Sequence, residues 1–258
     1  MAAINFSRLN SRIIRAIKYP ILLLLYQFGI RQKKIFAIGF NKCGTTSLHS
    51  LFQSLGLSSY HGTKWRTNPE PSFFLLYDCF SDGRPSGELA KLAKLDELFP
   101  GSKFILQVRE LNNWVYSRLE HIERQKQENP NKARSQYWDE TEEAVKLWIK
   151  NRNNYHSFVL SYFSERPSDL LIVNYIRDEL AAEKICHFLG YDCELKKPKK
   201  NVAPKKNRSL KHRNLLINSI ESLGIHESET EYDILCPSLI DKDSKDSLPL
   251  DTSELKNS

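Results

Sequence analysis

Several patterns that would mark particular classes of protein are missing from this chain. The five cysteines are odd in number, and no two of them have C-x-x-C spacing. We therefore expect no zinc site and no framework of disulfides, and a reducing compartment is the simplest interpretation. No run of about 20 consecutive apolar residues occurs, so no segment is long enough to span a bilayer alone. Clusters of His, Cys, Asp and Glu with metal-ligand spacing are also missing, and we expect no metal.

Acidic residues are absent from the first 34 positions, which contain seven lysines and arginines. These seven account for the whole net charge of +7, so the rest of the chain is balanced. Such a distribution argues against a nucleic-acid-binding surface. Basic residues at helical spacing, followed by an apolar run from Tyr19 to Ile30, are typical of contact with an anionic membrane through residues 1–30. A helix packed on the protein's own core is the alternative.

A glycine loop after a short apolar run is the most informative motif. Residues 34–48 read KIFAIGFNKCGTTSL, in which Gly39 and Gly44 match the glycines of a phosphate-binding P-loop. The position of the P-loop lysine holds Thr45, and the lysine of this loop is Lys42 instead. A loop between a strand and a helix directs backbone N–H groups and a helix N-terminus at an anion.

The displaced lysine changes the ligand that the loop suits. In nucleoside triphosphatases the loop lysine reaches the β- and γ-phosphates, and Mg²⁺ lies on the following hydroxyl. Here the cation leaves from within the loop, and Thr45, Thr46 and Ser47 offer three hydroxyls beside the anion. This arrangement favours a terminal phosphate or phosphosulfate. The Lys-x-Gly-Thr-Thr pattern resembles the 5′-phosphosulfate loop of sulfotransferases that use 3′-phosphoadenosine-5′-phosphosulfate (PAPS).

A second motif agrees with this resemblance. Residues 103–109 form an apolar strand that ends in Arg109, and Ser117 follows eight positions later, on a predicted helix. Members of the family bind the 3′-phosphate of the donor with an arginine and a serine at this spacing. The chemistry is sensible, because a guanidinium binds phosphate in a fork and a serine adds a hydroxyl.

The resemblance extends from about Lys34 to about Asn207, and it implies a set of donor contacts. The glycine-rich loop that closes over the 3′-phosphate in cytosolic members is absent, and the basic segment Lys196 to Arg213 occupies its place. We expect this segment to be a substitute lid. The implied donor-binding residues are Asn41, Lys42, Cys43, Gly44, Thr45, Thr46, Ser47, Arg109, Ser117, Lys200 and Asn201.

The general base is less well defined by the sequence. Lys42 is expected to stabilise the leaving oxygen, and a strand-end residue to remove the acceptor proton. Asp78, at the end of a predicted strand, is the first choice and Asp82 the second. His61 and Glu70 stay open, since both lie between the two donor motifs. Cys43 is interpreted as a small residue that fits the loop, with a redox-active thiol as the alternative.

The order of the elements predicts an α/β fold. Short apolar strands alternate with helices, as in a three-layer sandwich with a central parallel sheet of the P-loop nucleotide-binding type. We expect a basic N-terminal segment (1–33), a catalytic domain (34–225) and an acidic, largely disordered tail (226–258), with local docking of residues 232–235. The predicted strands are 35–39, 57–60, 73–78, 103–108 and 170–174, and the helices are 45–55, 88–99, 112–127, 137–163 and 178–189.

The resemblance implies a sulfotransferase that transfers a sulfuryl group from PAPS to a hydroxyl or amine. Its expected acceptor is a glycan, a glycolipid or a small hydroxyl compound, and its expected location is the cytoplasm, on the cytoplasmic face of a membrane. Two alternatives from other classes stay open. One is a P-loop kinase, and the other is a non-catalytic, membrane-associated scaffold that keeps a nucleotide-binding fold.

Overall fold

A computed structural model describes residues 17, 19–30, 32–67, 71–82, 90–130, 139–192, 198 and 208–240. Five strands form one parallel sheet in the order β2-β3-β1-β4-β5. The predicted α/β architecture with a parallel sheet is therefore confirmed. The strands are β1 (Ile35–Ala37), β2 (Ser59–His61), β3 (Cys79–Ser81), β4 (Lys103–Gln107) and β5 (Leu170–Val173).

Helices cover both faces of this sheet. The helices are α1 (described at residues 17 and 19–27), α2 (Thr45–Ser54), α3 (Lys64–Thr67), α4 (Pro71–Phe74), α5 (Ala90–Leu98), α6 (Leu111–Glu128), α7 (Glu142–Tyr162), α8 (Ala181–Phe188), α9 (Leu210–Leu223) and α10 (Pro237–Ile240). Two 3-10 turns, Pro167–Asp169 and Glu227–Glu231, complete the regular structure of the described residues. Helix α7 begins later than predicted, because the side chain of Thr141 accepts a hydrogen bond from the N–H of Ala144 and caps the helix.

Successive residues of the strands point to opposite faces and build two cores. Phe36, which pairs in register with Phe80 and Phe104, faces the larger core under α5, α6, α7 and α9. The next residue, Ala37, belongs with Ile105 to the smaller core under α2 and α8. All five side chains are fully buried. The three layers follow from this alternation.

The predicted strand at 73–78 is wrong, and the error has consequences for the site. Residues 71–74 are helical, since Pro71 occupies the first position of a helix, where its missing N–H costs nothing. The strand is Cys79–Ser81, and it pairs with β1 and β2. Asp78 therefore precedes its strand, whereas Asp82 follows it.

We expected the segment from His226 to Ile240 to be disordered, but it folds onto the core. Cys236 is completely buried and Leu239 is 2% exposed. The predicted docking near Tyr232 is observed, because the Tyr232 carbonyl accepts a hydrogen bond from the N–H of Leu111. Residues 241–258 lie outside the described part of the chain.

The cysteines and the helices bear on two further expectations. Cys43, Cys79 and Cys236 are free thiols, whereas Cys186 is disulfide-bonded. We expected no framework of disulfides, and among the described residues Cys186 is the exception. Within the described ranges, no helix combines the length and the apolar character that a bilayer span needs.

Candidate functional site

The loop between β1 and α2 has the backbone of an anion-binding loop. Gly44, immediately before α2, has φ 85°, in the left-handed region that glycine enters readily. A Cβ at this position would lie 3.2 Å from Cδ1 of Tyr175, so the close approach also favours glycine. Gly44, at the N-cap of α2, makes no side-chain cap. The first-turn N–H groups of a helix point along its axis toward the preceding loop, where they can bind an anion.

Gly39 is required for a different reason. Its N–H donates to Oε1 of the fully buried Gln107 at 2.6 Å. A Cβ on Gly39 would lie 2.2 Å from the backbone oxygen of Gln107. The loop can therefore leave β1 tightly against β4 only if this residue has no side chain.

Helix α6 fixes the middle of the loop. Trp114 donates from Nε1 to the carbonyl of Asn41 at 3.0 Å, and Arg118 donates from Nη1 to Oδ1 of Asn41 at 2.9 Å. Arg118 is 1% exposed and stacks 4.4 Å from the ring centroid of Trp148. Asn41 was predicted to bind PAPS. Both of its oxygens accept hydrogen bonds that shape the loop. The Arg118 contact was missed, although its spacing from Trp114 (i, i+4) places both on one face of a helix.

Arg109 joins the second motif to the first. It follows β4, and its Nη1 donates to the carbonyl of Lys42 at 2.9 Å. Its Nε is buried and makes no hydrogen bond to any described residue. Behind it, the fully buried Arg152 donates from Nη2 to the Arg109 carbonyl at 3.1 Å. The same Arg152 atom also binds the carbonyls of Tyr232 and Asp233, so the C-terminal segment supports Arg109.

Lys42 lies in a strongly positive environment. Burial, followed by the charges of Arg124 and Arg118, lowers its pKa to about 8, while Asp82 acts in the opposite direction. Its φ of 67° is unusual for a residue with a side chain, and such strain is concentrated at functional sites. Burial and the neighbouring Lys42 lower the pKa of His121 to about 4, so this imidazole is neutral at pH 7 and adds no charge. The positive charges of Lys42, Arg118 and Arg124 can therefore attract an anion and bind it more tightly than a neutral loop could.

Ser117 is half-buried and is the seventh residue of α6, in its second turn. Trp114 and His121 share its face of the helix at spacings of three and four residues. Trp114 contacts Asn41, and His121 interacts electrostatically with Lys42. Ser117 therefore lies on the side of α6 that is nearest the loop.

The structure separates the candidates for the general base. Asp78 lies at the opposite edge of the sheet, where its Oδ2 accepts the N–H of Ser58 at 2.8 Å. Asp82 lies at the edge that carries the loop, with φ 94°, and its charge reaches Lys42. His61 ends β2 at the same edge, and its Nε2 is 3.4 Å from Oγ1 of Thr46. Glu70 lies outside the described residues.

The proposed lid is only partly described. Lys200 and Asn201 lie outside the described residues, so their contacts to a donor stay predictions. Arg208, where the described part of that segment resumes, stacks 4.2 Å from the ring centroid of Tyr116 and hydrogen-bonds the side chain of Asn113. Burial is the largest cause that lowers the pKa of Arg109, and the charge of Arg208 lowers it further. Arg208 therefore places part of the basic segment beside Arg109.

Cys43 is a buried packing residue. It is 3% exposed, and burial raises the pKa of its thiol to about 12, although nearby arginines oppose this. A thiolate is the reactive form of cysteine, so this environment disfavours reaction. The interpretation of Cys43 as a small residue that fits the loop agrees with this burial. Among the described residues, no group of three or more His, Cys, Asp or Glu side chains is placed to hold a metal ion.

Comparison with known proteins finds likeness at the level of structure. No protein-family model matches this chain, and no curated protein matches it. The chain is similar to a sulfotransferase from Alicyclobacillus acidocaldarius, with a TM-score of 0.48 and 16% identity, over 75% of this chain and 93% of that one. It is also similar to the sulfotransferase domain of the Synechococcus PCC 7002 olefin synthase, with a TM-score of 0.40 and 16% identity, over 73% and 95% of the two chains. At these scores neither likeness carries an argument about activity.

Proposed function

We propose that this protein is a sulfotransferase that transfers a sulfuryl group from PAPS to a hydroxyl or amine of an acceptor. The observation that carries the proposal is the hydrogen bond between Arg109 and the Lys42 loop. It joins two cationic sites in the crevice between β1 and β4, where the strand order reverses and where open α/β sheets bind ligands. PAPS has two separate anionic groups, at its 5′ and 3′ positions, and so suits two such sites.

The residues present fit this donor. The N-terminus of α2 and the hydroxyls of Thr45, Thr46 and Ser47 would hold the 5′-phosphosulfate. Arg109, whose buried Nε makes no hydrogen bond within the described residues, would bind the 3′-phosphate together with Ser117. The donor supplies an activated sulfuryl group when bound. A side chain at Gly39 would collide with Gln107, and a side chain at Gly44 would crowd Tyr175. Both glycines therefore preserve the conformation of the loop.

Lys42 would neutralise the charge that develops on the leaving oxygen. During transfer the bond between sulfur and the bridging phosphate oxygen breaks, a bond from sulfur to the acceptor oxygen or nitrogen forms, and the acceptor loses a proton. The leaving group gains negative charge, which a half-buried ammonium stabilises. Asp82 raises the pKa of Lys42 and so favours its charged form.

His61 is the base that the hydrogen bonds favour, in place of our first choice, Asp78. The hydroxyl of Ser81 donates to the carbonyl of Tyr60 at 3.4 Å, so its oxygen accepts from Nδ1–H of His61 at 3.1 Å. This assignment leaves the lone pair of Nε2 directed at Thr46, beside the anion loop. An acceptor hydroxyl placed between Nε2 and the sulfuryl group would lose its proton to His61.

We propose a glycan or glycolipid as the acceptor, because a membrane-facing N-terminus would hold the protein at a surface where saccharides are made, with the site turned toward their aqueous-phase sugar groups. The test is incubation of the full chain with PAPS carrying labelled sulfate and a panel of saccharides, glycolipids and small phenols. Label in a saccharide, with release of adenosine 3′,5′-bisphosphate and none with Lys42→Ala, would support the proposal. Folded protein that releases no bisphosphate with any acceptor, and that binds Mg-ATP instead, would contradict it.

A further inference from the structure

Helix α1 carries an apolar face that the domain leaves uncovered. Ile17, Ile21, Leu24 and Phe28 recur at helical spacing and are 65%, 58%, 53% and 76% exposed. No side chain among residues 19–30 is buried, although nine of the twelve are aliphatic or aromatic. One face of the helix, with Leu22, Leu23, Leu25 and Tyr26, is half-buried, but the face with Ile17, Ile21, Leu24 and Phe28 does not pack on the protein's own core.

The C-terminal end of α1 has a defined cap, so the exposed apolar side chains belong to a folded helix. Gly29 has φ 79°, and the N–H of Ile30 reaches back to the carbonyl of Leu25 at 2.9 Å. These are the features of a glycine-terminated helix. Ile30 to Lys34 then lead into the amino end of β1. The apolar helix thus joins the sheet at the edge opposite the Lys42 loop.

Charge decides which partner this face suits. Six lysines and arginines lie within the first 33 residues, where no aspartate or glutamate occurs, and the next, Lys34, is buried in the domain and does not contribute to this surface. A second copy of the same segment would bring like charges together, which disfavours self-association. An anionic lipid surface complements the charge and also takes up the apolar side chains. Within the described residues, no helix is long and apolar enough to cross the hydrocarbon core, which needs about 20 residues.

We propose that α1 lies in the plane of an anionic membrane surface, with Ile21, Leu24 and Phe28 inserted between lipids and the flanking basic residues on the headgroups. This docking is independent of the sulfotransferase proposal, since it uses none of the residues of the Lys42 site. The Lys42 loop, at the opposite edge of the sheet, stays in the aqueous phase.

Flotation of the full chain with lipid vesicles tests the docking. One set of vesicles contains phosphatidylcholine alone, and the other also contains phosphatidylserine. We expect binding to the second set, weakened by salt and reduced about tenfold or more in the variant Ile21→Ser/Leu24→Ser/Phe28→Ser. The control is Leu210→Ser, a residue 76% exposed on α9, which should bind like the unchanged protein. Thermal unfolding by circular dichroism shows that each variant is folded.

Three outcomes would overturn the proposal. The first is no binding to either set of vesicles, and the second is binding that the triple variant retains. The third is self-association of the unchanged protein in light scattering, abolished in the triple variant, since this would make a second copy the partner of α1. None of these outcomes affects donor binding at Lys42, so the two proposals fail separately.

Discussion

The guanidinium of Arg109 donates a hydrogen bond to the backbone carbonyl of Lys42 at 2.9 Å, across a separation of 67 residues. The strand-end arginine therefore both orients the anion loop and faces the same crevice as the loop. Because one side chain has both functions, a change at Arg109 should weaken binding at both anionic groups of the donor. Independent sites would not show this coupling.

Arg109→Lys should weaken binding of adenosine 3′,5′-bisphosphate about 10- to 100-fold, since an ammonium cannot reproduce the fork that binds phosphate while also holding the loop. Titration calorimetry measures the change. Arg166→Lys is the matched control, because Arg166 pairs with Asp96 at the opposite edge of the sheet. A variant at Arg109 that binds as tightly as the control would argue against the assigned role.

Donor binding should take up a proton above about pH 8. Burial and neighbouring arginines lower the pKa of Lys42 to about 8, and a bound anion favours its charged form. Affinity should therefore fall as the pH rises through this value. Calorimetry at about pH 7 and about pH 9, in buffers of different ionisation enthalpy, gives the proton count. Uptake that persists in Lys42→Ala would assign it to another group.

Lys42 should also reduce the stability of the fold. Its folded pKa lies below the ordinary value of 10.5, so the unfolded chain binds this proton more tightly than the native state. The penalty is fully present below about pH 8 and disappears as the pH rises toward 10.5. Lys42→Met should therefore have a higher Tm than the unchanged protein at pH 7, yet show no transferase activity. An equal or lower Tm in this variant would contradict this account of the site.

His61→Gln should lower kcat about 10²- to 10⁴-fold and remove the acidic limb of the pH–rate profile, as loss of a general base does. Ser81→Ala should cost less, because it removes only the hydrogen bond that holds the His61 tautomer. Asp78→Asn is the control, since Asp78 lies at the far edge of the sheet. If Asp82→Asn removed the acidic limb and His61→Gln kept it, Asp82 would be the base.

Truncation after Ile225 should destabilise the protein and weaken donor binding together. It removes Tyr232 and Asp233, whose carbonyls accept hydrogen bonds from the buried Arg152. A buried guanidinium that loses its partners costs about 3–5 kcal/mol. Urea unfolding measures the loss, and truncation after Ile240 is the control. Unchanged stability in the shorter protein would show that the segment does not support Arg109.

The sequence predicted the strands that carry the donor site better than it predicted the strand beside them. β1 and β4 are continuous apolar runs flanked by helix signals, so their ends, and with them Lys42 and Arg109, were located to within two residues. β3 has three residues, buried on both faces, and follows the apolar residues Phe73 to Leu76, which imitate a strand. A shift of a few residues moved Asp78 to the wrong edge of the sheet.

Long-range contacts explain what else the sequence did not show. Arg118 and Arg152 are buried arginines, and their roles depend on partners about 80 residues away. The acidic composition of the last residues concealed Cys236 and Leu239, two apolar side chains that are buried in the core. His61 was one of several candidates for the general base in the sequence. Its contact with Thr46, which the sequence does not show, distinguishes it from the others.

The most direct test of the account is calorimetric binding of adenosine 3′,5′-bisphosphate to the full chain, compared with ATP in the presence and absence of Mg²⁺. We predict tight binding of the bisphosphate that does not depend on metal and is lost in Lys42→Ala and Arg109→Ala. A preference for Mg-ATP would contradict the account and indicate a kinase-like enzyme. Binding of neither nucleotide to the folded protein would contradict it as well, and would favour a non-catalytic scaffold.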